Sequence, residues 1–128
     1  MNVNMFVNGQ AMSGGSLNDA LVGTEFLGAV RTAPRYRFYS VRDEFPGLHP
    51  VRDGGVAVPG ELYAVPYDVL RDRLLPREPD ELELGVIELA DRRGSLSMRM
   101  RAWALQTGGI VDISDAGGWL AYLAGRAS

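Results

Sequence analysis

The side chains of this chain that can do chemistry are few. All 13 cationic side chains are arginine, cysteine is absent, and His49 is the single histidine. Lysine chemistry therefore drops out: no phosphate-loop lysine, no Schiff base, no Ser–Lys pair. Without cysteine there is no thiol nucleophile and no zinc-finger site, and one imidazole cannot build a cage of several. No metal and no cofactor is expected. The groups left to act are carboxylates, tyrosines, serines, arginines, His49 and the backbone amides.

Those amides draw attention first to Asn8, Gly9, Gln10, Ala11 and Met12. They open a glycine- and serine-rich loop that runs to Asn18, and no cation precedes Arg31. A loop of this composition can turn several N–H groups toward one point and hold a small anion without a positive side chain. Glycine clusters also simply let a chain turn. Asn18 either hydrogen-bonds a ligand or caps a short turn over residues 19–21.

Four further groups of residues carry candidate roles. Arg35, Arg37 and Tyr39 alternate onto one strand face, where an arginine fork could grip a carboxylate or merely meet solvent. Glu61 shares a face with Tyr63; burial there would raise its pKa and make it a proton donor, whereas pairing with an arginine would make it structural. Glu78 lies in the run Glu78-Pro79-Asp80-Glu81-Leu82-Glu83, which reads as a solvated acidic loop as readily as a catalytic one. His49, in a loop bounded by Pro and Gly, has a side chain whose ordinary pKa suits proton transfer near neutrality.

The elements that must position these residues follow from periodicity and turn signals. Strands are expected at 5–7, 24–31, 35–41 and 56–65, the last bulged at Pro59-Gly60 because proline donates no ladder hydrogen bond. Pro46-Gly47 and Asp53-Gly54-Gly55 read as turns flanking a short extended piece at 48–52. Pro66 starts a helix over 67–75. Residues 86–90 and 95–105 form a hairpin around Asp91-Arg92-Arg93-Gly94. Ser114 reads as the N-cap of a final helix at about 115–125. About six strands and two helices indicate an α+β domain, a small mixed or antiparallel β-barrel with a few packed helices.

The 128 residues suit one domain with one core, spanning 1–128. No run of 18 apolar residues is present and no basic segment precedes an apolar one at the N-terminus, so neither a membrane span nor a signal peptide is expected. With no cysteine, a cytoplasmic location is the expectation. The net charge of −3 argues against nucleic acid as a partner.

Several stretches, taken in order, resemble one family. Met5 to Met12 is similar to the opening strand and loop of the gamma-glutamylcyclotransferase-like fold. There follow Phe26-Leu27-Gly28-Ala29-Val30-Arg31-Thr32, Tyr36-Arg37-Phe38-Tyr39, Phe45-Pro46-Gly47 and Val58-Pro59-Gly60-Glu61-Leu62-Tyr63. Ser13-Gly14-Gly15-Ser16-Leu17-Asn18, Arg31-Thr32-Ala33-Pro34-Arg35-Tyr36-Arg37 and the closing Asp112 to Leu123 resemble the C-terminal domain of allophanate hydrolase. The resemblance implies a compact β-barrel with a pocket for a small carboxylate compound. It implies a stand-alone domain that binds a urea-derived carboxylate of the N-carboxyurea class and promotes its decarboxylation. An amidase chain or a second copy would be its macromolecular partner. Two other readings stand beside this one: a gamma-glutamyl or gamma-glutamylamine cyclotransferase, and a non-catalytic assembly module. Asn8 occupies the place where the cyclotransferases usually carry tyrosine. Their glutamate follows the central helix in a Leu-Asp-x-x-Glu context, for which this chain has Leu74-Leu75-Pro76-Arg77-Glu78.

Overall fold

The structure, a computed structural model, describes residues 1–126. Its strands are β1 (Asn2–Val7), β2 (Glu25–Arg31), β3 (Tyr36–Val41), β4 (Phe45–Pro50), β5 (Pro59–Pro66), β6 (Leu82–Glu88), β7 (Gly94–Met100) and β8 (Ile110–Asp112). They join one mixed sheet in the order β2-β5-β1-β7-β4-β3-β8, with β6 added on β7. The sheet curls into a half-barrel, and the α+β class expected from the sequence is the class observed. β1 runs through its middle, antiparallel to β5 (Met5 opposite Tyr63) and parallel to β7 (Phe6 opposite Ser97). Met5, Phe6 and Val7 are all buried. A strand covered on both faces carries a continuous apolar run rather than an alternating one.

Between β5 and β6 the chain makes one helical passage. A single α turn, α1 (Tyr67–Val69), continues as a π turn (Leu70–Leu74) and a 3₁₀ turn (Leu75–Arg77). Leu70 and Leu74 anchor it in the core. Pro76 and Pro79 bracket its end, since neither can supply the N–H that would continue a helix. The second helix, α2 (Trp119–Arg126), is fixed by Trp119, which is 1% exposed and stacks on Tyr122 with ring centroids 5.8 Å apart.

β3 follows the alternation read from the sequence. Tyr36, Phe38 and Ser40 are buried while Arg37 and Tyr39 are half-buried and Arg35 is exposed. Four expectations are corrected. Pro46-Gly47 lies inside β4 rather than in a turn. Gly47 is needed there because a Cβ would meet the Met100 side chain at 2.5 Å and Leu82 at 2.8 Å. The turn falls instead at Arg42 and Asp43, both left-handed (φ 52 and 58) and closed by Glu44 N–H to Val41 O at 2.9 Å. The bulge lies in β2, between Phe26 and Gly28, opposite the proline-bearing β5. The strand expected over 95–105 stops at Met100 and gives way to a 3₁₀ turn, Ala102–Gln106. Ser114 caps no helix. Its Oγ accepts the Phe38 N–H at 2.9 Å and donates to Asp112 Oδ1 at 2.6 Å, tying the segment after β8 back to β3.

Candidate functional site

The chain leaves β1 at Asn8 and enters a loop whose shape is set by backbone contacts. Gly9 lies under Pro46, where a Cβ would meet the proline ring at 2.5 Å. Met12 N–H closes a turn on Gly9 O at 3.1 Å, and Leu17 N–H returns to Gln10 O at 2.9 Å. Gly15 packs so closely on the Gln10 carbonyl that a side chain has no room.

Side chains then latch the loop to β5. Glu61 Oε1 accepts the Ser13 N–H at 2.7 Å and the Tyr63 hydroxyl at 3.0 Å. Asn18 Nδ2 donates to Ala11 O at 2.9 Å and to the Tyr63 oxygen at 3.3 Å. On the opposite side Gln10 Nε2 reaches Glu44 O at 2.6 Å, and Arg77 holds Asp19 Oδ2 at 2.7 Å and Ser16 O at 3.2 Å. The loop is therefore pinned to β5, to the β3–β4 turn and to the end of the helical passage.

Under this loop is a partly enclosed cavity of about 270 Å³. Asn8, Gly9, Gln10 and Ala11 form one wall; Met5, Phe45, Leu82 and Met98 supply apolar surface; Glu78 closes another side. Among the described residues, no hydrogen bond is made by the amides of Gly9, Gln10 and Ala11. Asn8 is 8% exposed, and its buried Nδ2 likewise has no partner there. A buried donor left without an acceptor costs about 1–3 kcal/mol, so this donor suits a ligand oxygen. The lining contains one cation, Arg77, and it already carries the Asp19 carboxylate. Any anion in the cavity is thus met by neutral donors.

Glu78 is the group in this cavity with chemistry near neutral pH. Burial raises its carboxyl from an ordinary 4.5 to about 7. At that value both protonation states are populated at pH 7, as proton transfer in either direction requires. The run of acidic residues suggested a solvated loop, but the residue lines the cavity. Leu75 O takes the Glu78 N–H at 3.1 Å and holds it at the end of the 3₁₀ turn. Arg77, Glu44, Ser16 and Phe45 also line this cavity and were not singled out in the sequence. Arg77 alone carried a signal, its place beside Glu78 between two prolines.

The other candidates lie elsewhere. Met12 is buried in the core and its amide is used in the turn. Asn18 and Glu61 belong to the latch and do not line the cavity; Asn18 is the first residue of the 3₁₀ turn Asn18–Leu21 rather than its cap. His49 lies in β4, not in a loop, and its Nδ1 contacts Met100 O at 2.9 Å. A carbonyl only accepts, so Nδ1 carries the proton in that contact. Arg35 pairs with Glu88 at 3.5 Å. Arg37 forks onto Asp112 at 3.0 and 3.2 Å and reaches Gly54 O at 2.8 Å. Tyr39 shares that face, where burial raises its phenol above the ordinary value. None of Arg35, Arg37, Tyr39 and His49 lines the cavity.

The sequence profile of the allophanate hydrolase C-terminal domain family matches residues 3–124. The chain belongs to that family. A comparison with curated proteins finds no match. Among solved structures, a protein specific to uropathogenic E. coli is similar at 32% identity, with 97% of each chain covered and a TM-score of 0.89. Allophanate hydrolase from Kluyveromyces lactis is 28% identical over 98% of this chain, with a TM-score of 0.91. The match takes up 22% of the yeast chain, in which this fold is one part of a larger protein. An AIG2-like protein from Mus musculus shares the fold at a TM-score of 0.65 and 17% identity, covering 81% of this chain and 82% of its own. Among the described residues no helix is long and apolar enough to cross a membrane.

Proposed function

We propose that this domain binds a small urea-derived carboxylate under the 8–11 loop and promotes its decarboxylation. The observation that carries the reading is the meeting, in one cavity, of unused donors with a carboxyl that titrates near 7. Asn8 Nδ2 and the loop amides hold the carboxylate without a cation, and being fixed by the fold they need little reorganisation. The bond from nitrogen to the carboxylate carbon breaks, its electron pair goes to nitrogen, and carbon dioxide leaves. Protonated Glu78 delivers the proton that the nitrogen then takes up. Membership of the allophanate hydrolase C-terminal domain family supports the substrate class, with an amidase as the source of the carboxylated compound.

The test couples the purified domain to an amidase acting on allophanate and follows carbon dioxide release against the spontaneous rate. Acceleration that falls as pH rises through about 7 is expected, because the acid form of Glu78 is the active one. An unchanged rate at every pH rejects the proposal.

A second reading is favoured by the same glutamate. Gamma-glutamyl cyclotransfer requires a pocket carboxylate that takes a proton from the substrate amine as it attacks the γ-carbonyl. That reaction uses the base form, so its rate would rise through about 7. The slope of the pH profile, with release of 5-oxoproline from gamma-glutamyl amines as the direct assay, separates the two.

A further inference from the structure

The molecule carries a second hollow that shares no lining residue with the cavity under the loop. It lies between the β6–β7 hairpin and the segments around Arg35 and Val51, and it continues into an adjoining depression. Arg35, Arg52, Arg92 and Arg99 line these two spaces, with Glu88 as the one carboxylate among them. Glu88 is used by Arg35, at 3.5 Å. Arg52, Arg92 and Arg99 form no ion pair among the described residues. Gathering unpaired cations in one concavity costs mutual repulsion that a chain of net charge −3, with carboxylates to spare, has no need to accept.

Arg99 shows that the hollow is built. Its Nε is buried with no hydrogen-bond partner among the described residues. Its guanidinium rests against β6 where Gly85 leaves the space: a Cβ there would come within 2.8 Å of Arg99 Cζ and closer still to Nε. Arg92 is held in the hairpin turn with φ 73, a left-handed conformation that side-chain-bearing residues rarely adopt. Arg99 laid along β7, Arg92 at the hairpin turn and Arg52 on the facing segment supply guanidinium forks suited to oxygen anions.

We propose that this arginine hollow is a binding site for a small, multiply charged oxyanion, a phosphate or a polycarboxylate. It is independent of the loop cavity and of the reaction assigned there.

Titration of the ¹⁵N-labelled protein with inorganic phosphate and with citrate, each against sodium chloride at matched ionic strength, tests it. Saturable amide shifts are expected at residues 33, 35, 36, 51, 52 and 91–99, with the 8–18 loop unmoved. A response to phosphate alone or to citrate alone identifies which oxyanion the site takes. Arg92→Gly keeps the left-handed turn while removing one guanidinium, and Arg99→Gln keeps much of the side-chain bulk. Each is expected to weaken binding about tenfold, the scale of one charge-assisted contact. Arg71→Ala, at a paired arginine outside the hollow, leaves it unchanged. Shifts that chloride reproduces, or that survive both variants at full strength, overturn the proposal.

Discussion

Glu78 shows how environment rather than residue type decides a role. Its carboxyl titrates near 7 because the cavity wall removes water from it, not because a charge sits beside it. The sign of the stability effect follows. The folded state holds the proton up to about 7 and the unfolded chain releases it near 4.5. Between these values the native state binds more protons, so raising the pH through this window lowers stability, by at most about 3 kcal/mol. Glu78→Gln is therefore expected to be more stable than the parent at pH 8, by about 1–2 kcal/mol in denaturant titrations, with no difference at pH 4. The same variant should lose about a hundredfold or more of carbon dioxide release, the usual contribution of a general acid. A variant equally active, or less stable at pH 8, contradicts the assignment. At this scale the sequence was only partly legible. Asn8 to Ala11 could be singled out from composition, but Glu78 was masked by the acidic residues that follow it. Nothing local distinguishes a carboxylate facing a cavity from one facing water; the cavity exists only once β1, β4 and β7 come together. Arg35, Arg37 and Tyr39 show the converse. Arg37 and Tyr39 share a face of β3 as read, while Arg35 precedes the strand, and Asp112 and Glu88, distant in sequence, are what engage the two arginines.

At the scale of the element, the 8–18 loop depends on a latch that contains no catalytic group. Glu61 Oε1 gathers Ser13 and Tyr63, and Asn18 links Tyr63 to Ala11. If this latch sets the loop for ligand, Glu61→Ala should raise KM about five- to tenfold, the scale of one lost positioning hydrogen bond, while kcat changes little. Glu61→Gln, which keeps an accepting oxygen, should restore most of the affinity. A fall in kcat at constant KM would instead place Glu61 in the chemistry. Gly15→Ala is the harsher probe, because its methyl group meets the Gln10 carbonyl. Overpacking of this kind costs about 1–3 kcal/mol, seen as a lower midpoint in thermal unfolding together with weaker ligand binding. Strand elements were readable because alternation reports burial directly, as in β3. Turns were less so: Arg42 and Asp43 adopt left-handed conformations without glycine or asparagine to announce them. Asp43 is held by contacts from far along the chain, including the Tyr122 hydroxyl at 2.6 Å. Gly47, which looked like a turn, answers a packing demand from Met100 and Leu82.

At the scale of the molecule, one core joins the sheet to its last helix. Trp119 lies in the same cluster as Met5, Phe6 and Leu62, and Gly118 brings the chain against Pro59 with φ 114. Tyr122 and Arg126, one and two turns further on, close on Asp43 in the β3–β4 turn, whose neighbour Glu44 lines the cavity. The end of the chain therefore braces both the sheet and the turn that carries part of the cavity wall. Trp119→Ala removes a fully buried ring and should cost about 3–5 kcal/mol, a large share of the stability of a domain this size. Trp119 does not line the cavity, so the fraction that remains folded should bind ligand normally at low temperature. Tyr122→Phe leaves the ring stacked on Trp119 but removes the hydroxyl that holds the Asp43 carboxyl below its ordinary range. Its loss should lower the unfolding midpoint less than Trp119→Ala does. The difference should shrink as the pH falls low enough to protonate Asp43 in the parent, because the carboxylate that rewarded the hydroxyl is then gone. Thermal scans of the parent and both variants at pH 7 and pH 3 measure this directly. A Tyr122→Phe variant with no deficit at pH 7 would show that the ring, and not the bond to Asp43, is what the turn relies on.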